Sequence, residues 1–160
     1  MVFKNHLIVA VAGFSIIGRL AYEQGFLGSL YDTGLAFGLV LIGASLPDVD
    51  YPDSTVGKRV KWLSWPIYVA FGHRGITHSA IALFLFAWGY YATGMDVIAW
   101  LGIGWALHLV GDFVTDSGIP LMWPSKKRHH FILVASTSGI SETVMVALVI
   151  AAAVAVNILI

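Results

Sequence analysis

The last eighteen residues, Thr143 to Ile160, carry no charged side chain and are dominated by Ala, Val and Ile. In hydrocarbon every backbone N–H and C=O must be satisfied within its own segment, so such a run is helical, and about 20 residues cross the apolar core. Four more apolar segments precede it, at 7–21, 30–46, 78–93 and 96–115, the fourth rich in Trp and Gly as membrane helices are. The first three are short for a span, and the second takes in Tyr31 and Asp32. With 58% hydrophobic and 11% charged residues, the chain holds more apolar surface than one water-facing domain can bury. The expected fold is all-α: one polytopic integral membrane domain over 1–160, with about five helices and an interfacial segment between helices two and three.

That interfacial segment belongs to the connection 47–77, which holds Pro47, Pro52 and Pro66 with Lys58, Arg59, Lys61 and Arg74. Within it, Val60 to Phe71 mixes aromatic and basic residues suited to headgroup depth, and Pro66 is expected to break or kink it. A second polar connection, 117–142, contains Trp123, Pro124, Lys126, Lys127, Arg128, His129 and His130. Trp62, Trp65 and Trp123 read as interface anchors, and the two histidines as solvated or headgroup-facing. Lys4 followed by Leu7 to Ile17 superficially resembles a signal peptide, but a chain with later spans inserts without a cleaved leader. Nine basic residues balance nine acidic ones, which removes a general electrostatic case for nucleic acid. With no cysteine, disulfides and thiolate metal ligands are excluded.

Five alternating helices put Lys4 and the 58–74 and 126–128 clusters on one side, which the distribution of basic residues makes cytoplasmic, with the C-terminus outside. Arg19 falls on the other side. The same alternation gathers the metal-type side chains at the cytoplasmic end: His6 before helix one, Asp48 and Asp50 after helix two, His73 and His78 before helix three, His108, Asp112 and Asp116 at the end of helix four, and Glu142 before helix five. Ionisable groups at membrane depth are costly and usually functional, and a shared cation offsets that cost.

Each spacing has a local reading. Between Pro47 and Pro52 the backbone is expected to be extended, with Asp48 and Asp50 pointing to one side to share a cation; a turn with solvated carboxylates is the alternative. His73 and His78 are too far apart for one helical face, so Gly75 is read as a loop residue and Thr77 as the cap of helix three, with Arg74 placed to hold an anion such as phosphate. An interfacial basic loop with merely polar histidines is the alternative. His108, Asp112 and Asp116 stand at i, i+4 and i+8, as a ligand stripe or as a His–Asp fastener between helices, with the turn at Ser117-Gly118 as the alternative place of Asp116. Glu142 is explained by a cap at the start of helix five, with a ligand role open.

In order along the chain, Pro47-Asp48-Val49-Asp50-Tyr51-Pro52-Asp53-Ser54, Arg59, His73-Arg74-Gly75-Ile76-Thr77-His78-Ser79 and His108-x-x-x-Asp112-x-x-Thr115-x-Ser117-Gly118 resemble the YdjM-like family of inner-membrane proteins, described as metal-dependent hydrolases. The family looks distantly related to zinc-dependent phospholipases C and single-strand nucleases. The resemblance implies a bacterial or archaeal cytoplasmic membrane location, phosphoester cleavage, and His6, Asp48, Asp50, His73, His78, His108 and Asp112 as metal-site residues. The chain departs from the family pattern at Thr137-Ser138-Gly139, where a Thr-Gly-Ser is expected before the Glu.

The resulting expectation is a membrane-embedded hydrolase holding two or three divalent ions, zinc or alternatively manganese, and acting on a phospholipid or other lipid phosphate. Asp50 or Asp112 would act as base and Arg74 would bind the phosphate. Membrane lipids are the expected partners, with no nucleic acid. The alternative functions are transport or binding of divalent metal ions or protons, and a structural membrane protein with polar fasteners.

Overall fold

The computed structural model describes residues 1–131 and 135–159. Part of the 117–142 connection, at 132–134, and Ile160 of the last apolar segment lie outside the described residues. Among the described residues six α-helices follow one another: α1 (Phe3–Glu23), α2 (Leu30–Ser45), α3 (Lys61–Phe71), α4 (Ala80–Thr93), α5 (Asp96–Phe113) and α6 (Ile140–Leu159). The fold is the expected all-helical polytopic one, and four segments are long and apolar enough to span: Phe3–Glu23, Leu30–Asp50, Asp96–Phe113 and Ile140–Leu159. At 14 residues α4 is shorter. It nevertheless carries the chain across the bundle, because Gly94 and Met95 alone join it to the far end of its partner α5. Gly94 ends α4 in the left-handed region (φ 66°), which a glycine occupies without strain.

The bundle is built around α2 and α5. A Cβ on Gly104 would lie 2.1 Å from the Val40 carbonyl oxygen, and one on Gly43 would lie 2.2 Å from that of Leu101. Small residues thus bring two backbones together, as in membrane helix pairs, where close packing replaces the hydrophobic drive available in water. Around this seam Ala10, Phe14, Leu27, Ala36, Val40 and Ala44 form the buried core. Large apolar side chains face outward instead, among them Phe84, Trp88 and Tyr91 on α4 and Leu148, Val154 and Ile158 on α6. That surface suits lipid.

Several local expectations are corrected. The first helix begins at Phe3, so His6 lies inside α1 rather than before it. After α2 the chain tightens into a 3-10 turn, Leu46–Asp50, where an extended stretch was expected. Pro47 sits in its first turn, where a missing N–H costs nothing, and only Tyr51, before Pro52, is extended. Asp48 and Asp50 therefore do not point to one side. Pro66 does not break α3, which runs through to Phe71. Its Trp62 and Trp65 are 78% and 63% exposed, as interface anchors would be. His78 closes a 3-10 turn, Ile76–His78, and Ser79 rather than Thr77 precedes α4.

Candidate metal centre

Five chain segments deliver side chains to one end of the bundle. α1 brings His6, the turn after α2 brings Asp48 and Asp50, the loop before α4 brings His73, Arg74, Thr77 and His78, the last turns of α5 bring His108 and Asp112, and α6 brings Glu142. His6, Asp50, His78, His108, Asp112 and Glu142 are all buried, as a group of polar side chains at membrane depth must be if lipid is to be kept from them.

At the centre, His78 Nε2 and His108 Nε2 are 3.3 Å apart. Asp112 Oδ2 lies 3.5 Å from the first and 3.7 Å from the second, and Asp48 Oδ1 lies 3.8 Å from His108 Nε2. Two imidazole nitrogens on one tetrahedral zinc are about 3.3 Å apart. Asp112 Oδ2 is buried with no hydrogen-bond partner among the described residues, although a buried carboxylate oxygen normally has one. Two sets of donors come within 4.8 Å of one another: His6 with His108 and Asp112, and Asp48 with His78 and His108.

The surrounding bonds fix which nitrogen of each ring faces inward. His108 Nδ1 lies 2.7 Å from the Ala44 carbonyl oxygen, which can only accept, so Nδ1 carries the proton and Nε2 the lone pair. His78 Nδ1 is held 3.0 Å from Asp50 Oδ2, which orients its Nε2 in the same way. Asp50 is itself saturated. Its Oδ2 also accepts from the Arg74 backbone N–H at 2.9 Å and from the Thr77 hydroxyl, while Oδ1 lies 2.8 Å from His73 Nδ1. The structure thus places Asp50 and His73 one layer behind the converging donors. Arg74 adopts a left-handed backbone (φ 58°), unusual for a side chain of its size, and its Nη2 donates to Asp112 Oδ1 at 2.8 Å. The Met1 amino nitrogen reaches the same oxygen at 2.8 Å. His6 stacks on His108, centroids 3.7 Å apart, with Nε2 3.4 Å from Asp112 Oδ1.

Other sequence candidates fall outside this centre. Glu142 accepts from the Val2 amide at 2.9 Å, the Asn5 side chain at 2.7 Å and the Ser138 amide at 2.6 Å, so it ties α1 to α6. Asp116 accepts from the Thr137 hydroxyl at 2.7 Å and its amide at 3.2 Å, and these bonds hold its carboxyl below the ordinary aspartate value. His129 pairs through its backbone with Ile119 across a small hairpin, and His130 is exposed.

Some contributors were not recognised from the sequence. Thr77 serves Asp50 rather than a helix cap, and the Trp105 indole fixes it by donating to its carbonyl at 2.7 Å. The Ala44 carbonyl sends no signal in sequence. Gly111 leaves room for an imidazole, since a Cβ there would stand 3.0 Å from His6 Nδ1; a glycine beside a candidate ligand was the available clue.

The chain matches the YdjM inner membrane protein family over residues 1–160. It is 37% identical over 101 residues to inner membrane protein YdjM of Escherichia coli (strain K12), covering 59% of this chain and 52% of that protein. It therefore spans about half the length of that relative and of the YdjM of Shigella flexneri, which matches equally. It is 32% identical over 149 residues to the uncharacterized protein YvsG of Bacillus subtilis (strain 168), covering 92% of this chain and 88% of the other. No solved structure matches. With its multi-pass helical fold and a family match along its whole length, the chain belongs to the YdjM inner membrane protein family.

Proposed function

We propose that this protein is a membrane-embedded, metal-dependent hydrolase, a phosphoesterase acting on a phospholipid or other lipid phosphate at the cytoplasmic interface. One observation carries the reading: the buried, unpartnered Asp112 Oδ2 faces the Nε2 atoms of His78 and His108 at distances suited to one cation. His78, His108, Asp112 and Asp48 would hold the ion. Mixed imidazole and carboxylate donors suit zinc, with manganese as the alternative. Because His108 offers only one lone pair, the two donor sets compete for it, and with Asp112 Oδ1 already taken by the Met1 amine and Arg74 these donors support one ion. A divalent ion at such a site supplies Lewis acidity and a nucleophile at neutral pH by lowering the pKa of water.

The chain's own residues then have separable tasks. Asp50 orients His78 and His73. His73, about a third exposed, can hold or release a proton at Nε2 while its Nδ1 stays on Asp50, which suits it to serve a leaving oxygen. Arg74 steadies Asp112 through Nη2 and keeps Nε without a partner among the described residues, a donor for a phosphoryl oxygen.

Transport is less well supported, because a conduction path needs polar groups at several depths. Away from the site the core is apolar, with Ala10, Phe14, Ala36 and Val40. Elemental analysis of the purified protein, with hydrolysis of short-chain phospholipids in micelles before and after chelation, tests the proposal. Bound zinc or manganese, together with turnover lost on chelation and restored by metal, is the expected result. Metal uptake into vesicles without turnover would favour transport.

A further inference from the structure

Beside Arg74 lies a cleft of about 720 Å³ that the ligand cluster does not use. Phe71, His73 and Arg74 line one part of it, and Trp123, Lys126 and Arg128 line another. The second set rides on a hairpin closed by paired Ile119 and His129 amide-to-carbonyl bonds, both 2.9 Å. The hairpin is fixed against the site loop where the Ala80 amide donates to the Leu121 carbonyl at 3.1 Å. Trp123 meets Phe71 edge to face, centroids 5.8 Å apart. Lys126 and Arg128 form no ion pair among the described residues, and no carboxylate lines the cleft. Since Arg74 is engaged by Asp112, these two carry the cleft's uncompensated charge.

We propose that this cleft receives the headgroup of a net-anionic phospholipid, a phosphomonoester or comparable multiply charged phosphate, and that Lys126 and Arg128 set the preference. The proposal rests on the hydrolase reading only in making that headgroup the substrate. A zwitterionic headgroup would bring an ammonium into a cleft with no carboxylate to meet it, and Trp123 and Phe71 pack against each other rather than open as a cage. A phosphomonoester carries nearly two negative charges at neutral pH, matching two cations that have no carboxylate partner among the described residues, although Arg128 Nη1 donates to the Ser117 carbonyl at 3.0 Å. Lipid rather than free phosphate is the source, because α3, which ends at Phe71, exposes Trp62 and Trp65 as an interfacial helix does.

The full chain in detergent micelles, titrated calorimetrically, tests this with three probes. They are a dihexanoyl lipid with a phosphonate headgroup, which is not hydrolysed, dihexanoyl phosphatidylcholine, and inorganic phosphate. Two cations contributing about fivefold each give an expected preference of about 25-fold for the phosphonate lipid over the choline lipid. In a K126Q/R128Q double variant the preference should fall to about threefold or less, while K126R/R128K retains it and both keep the wild-type metal content. Equal binding of the choline lipid, an undiminished preference in K126Q/R128Q, or inorganic phosphate binding as tightly as the lipid would each overturn the proposal. Selective binding by a wild-type protein without metal or turnover would leave it standing and remove the hydrolase reading instead.

Discussion

His108 and Asp112 stand one helical turn apart, and a hydrogen-bonded fastener would place them in the same way. What separates the readings is the partner of each atom: His108 uses Nδ1 on Ala44, and Asp112 Oδ2 has none among the described residues. His108→Ala and Asp112→Asn should therefore each lose at least part of the bound metal and nearly all hydrolysis while still inserting, measured by elemental analysis and turnover with thermal stability alongside. Full metal retention in both would leave the pair a fastener. Arg74 permits a sharper separation, because its backbone is left-handed. Arg74→Gly removes the guanidinium and relieves that strain, whereas Arg74→Ala removes only the guanidinium, so both should impair turnover and the glycine variant should be the more stable by about 1 kcal/mol. Thermal melts beside turnover rates check this. Normal activity in either variant would release Arg74 from the phosphate role.

At the scale of elements, α2 and α5 touch through backbone, and backbone has nowhere to retreat. Gly104→Ala would drive its Cβ to 2.1 Å from the Val40 carbonyl, so we expect a loss of about 3 kcal/mol, read as a lower unfolding temperature in detergent. Because the turn after α2 carries Asp48 and the end of α5 carries His108, metal affinity should fall as well. An unchanged melting temperature would mean the helices can part without cost. Glu142 holds α6 to α1 through three donors, so Glu142→Gln, which still offers one accepting oxygen, should lower stability yet leave bound metal intact. Loss of metal in that variant would restore Glu142 as a ligand.

For the whole molecule, both basic connections lie at the ligand end, joined by the Phe71–Trp123 contact. Basic residues concentrate on the cytoplasmic side of inner-membrane proteins, so that end should face the cytoplasm. The chain has no cysteine, so single Lys61→Cys, Lys127→Cys and Met95→Cys variants can be labelled without background. An impermeant maleimide should reach the first two only in inverted vesicles and the third only in intact cells. Labelling of Lys61→Cys and Lys127→Cys from opposite sides would contradict a shared site.

The sequence by itself determined the solvent, the helical class and the end of the bundle at which the candidate ligands gather, because apolar length and the alternation of spans are properties of the chain alone. That His6, Asp48, His78, His108 and Asp112 share one end of the bundle was legible for that reason. Their division of labour was not. Whether Asp50 is a ligand or holds His78 depends on which of its oxygens are already occupied, and those occupants, Thr77, His73 and the Arg74 amide, come from more than twenty residues away. Likewise a 3-10 turn instead of an extended stretch turned Asp48 away from Asp50, since packing against neighbouring elements overrode the local preference before Pro47. Roles within the site are set by distances between segments, and only the tertiary structure fixes those.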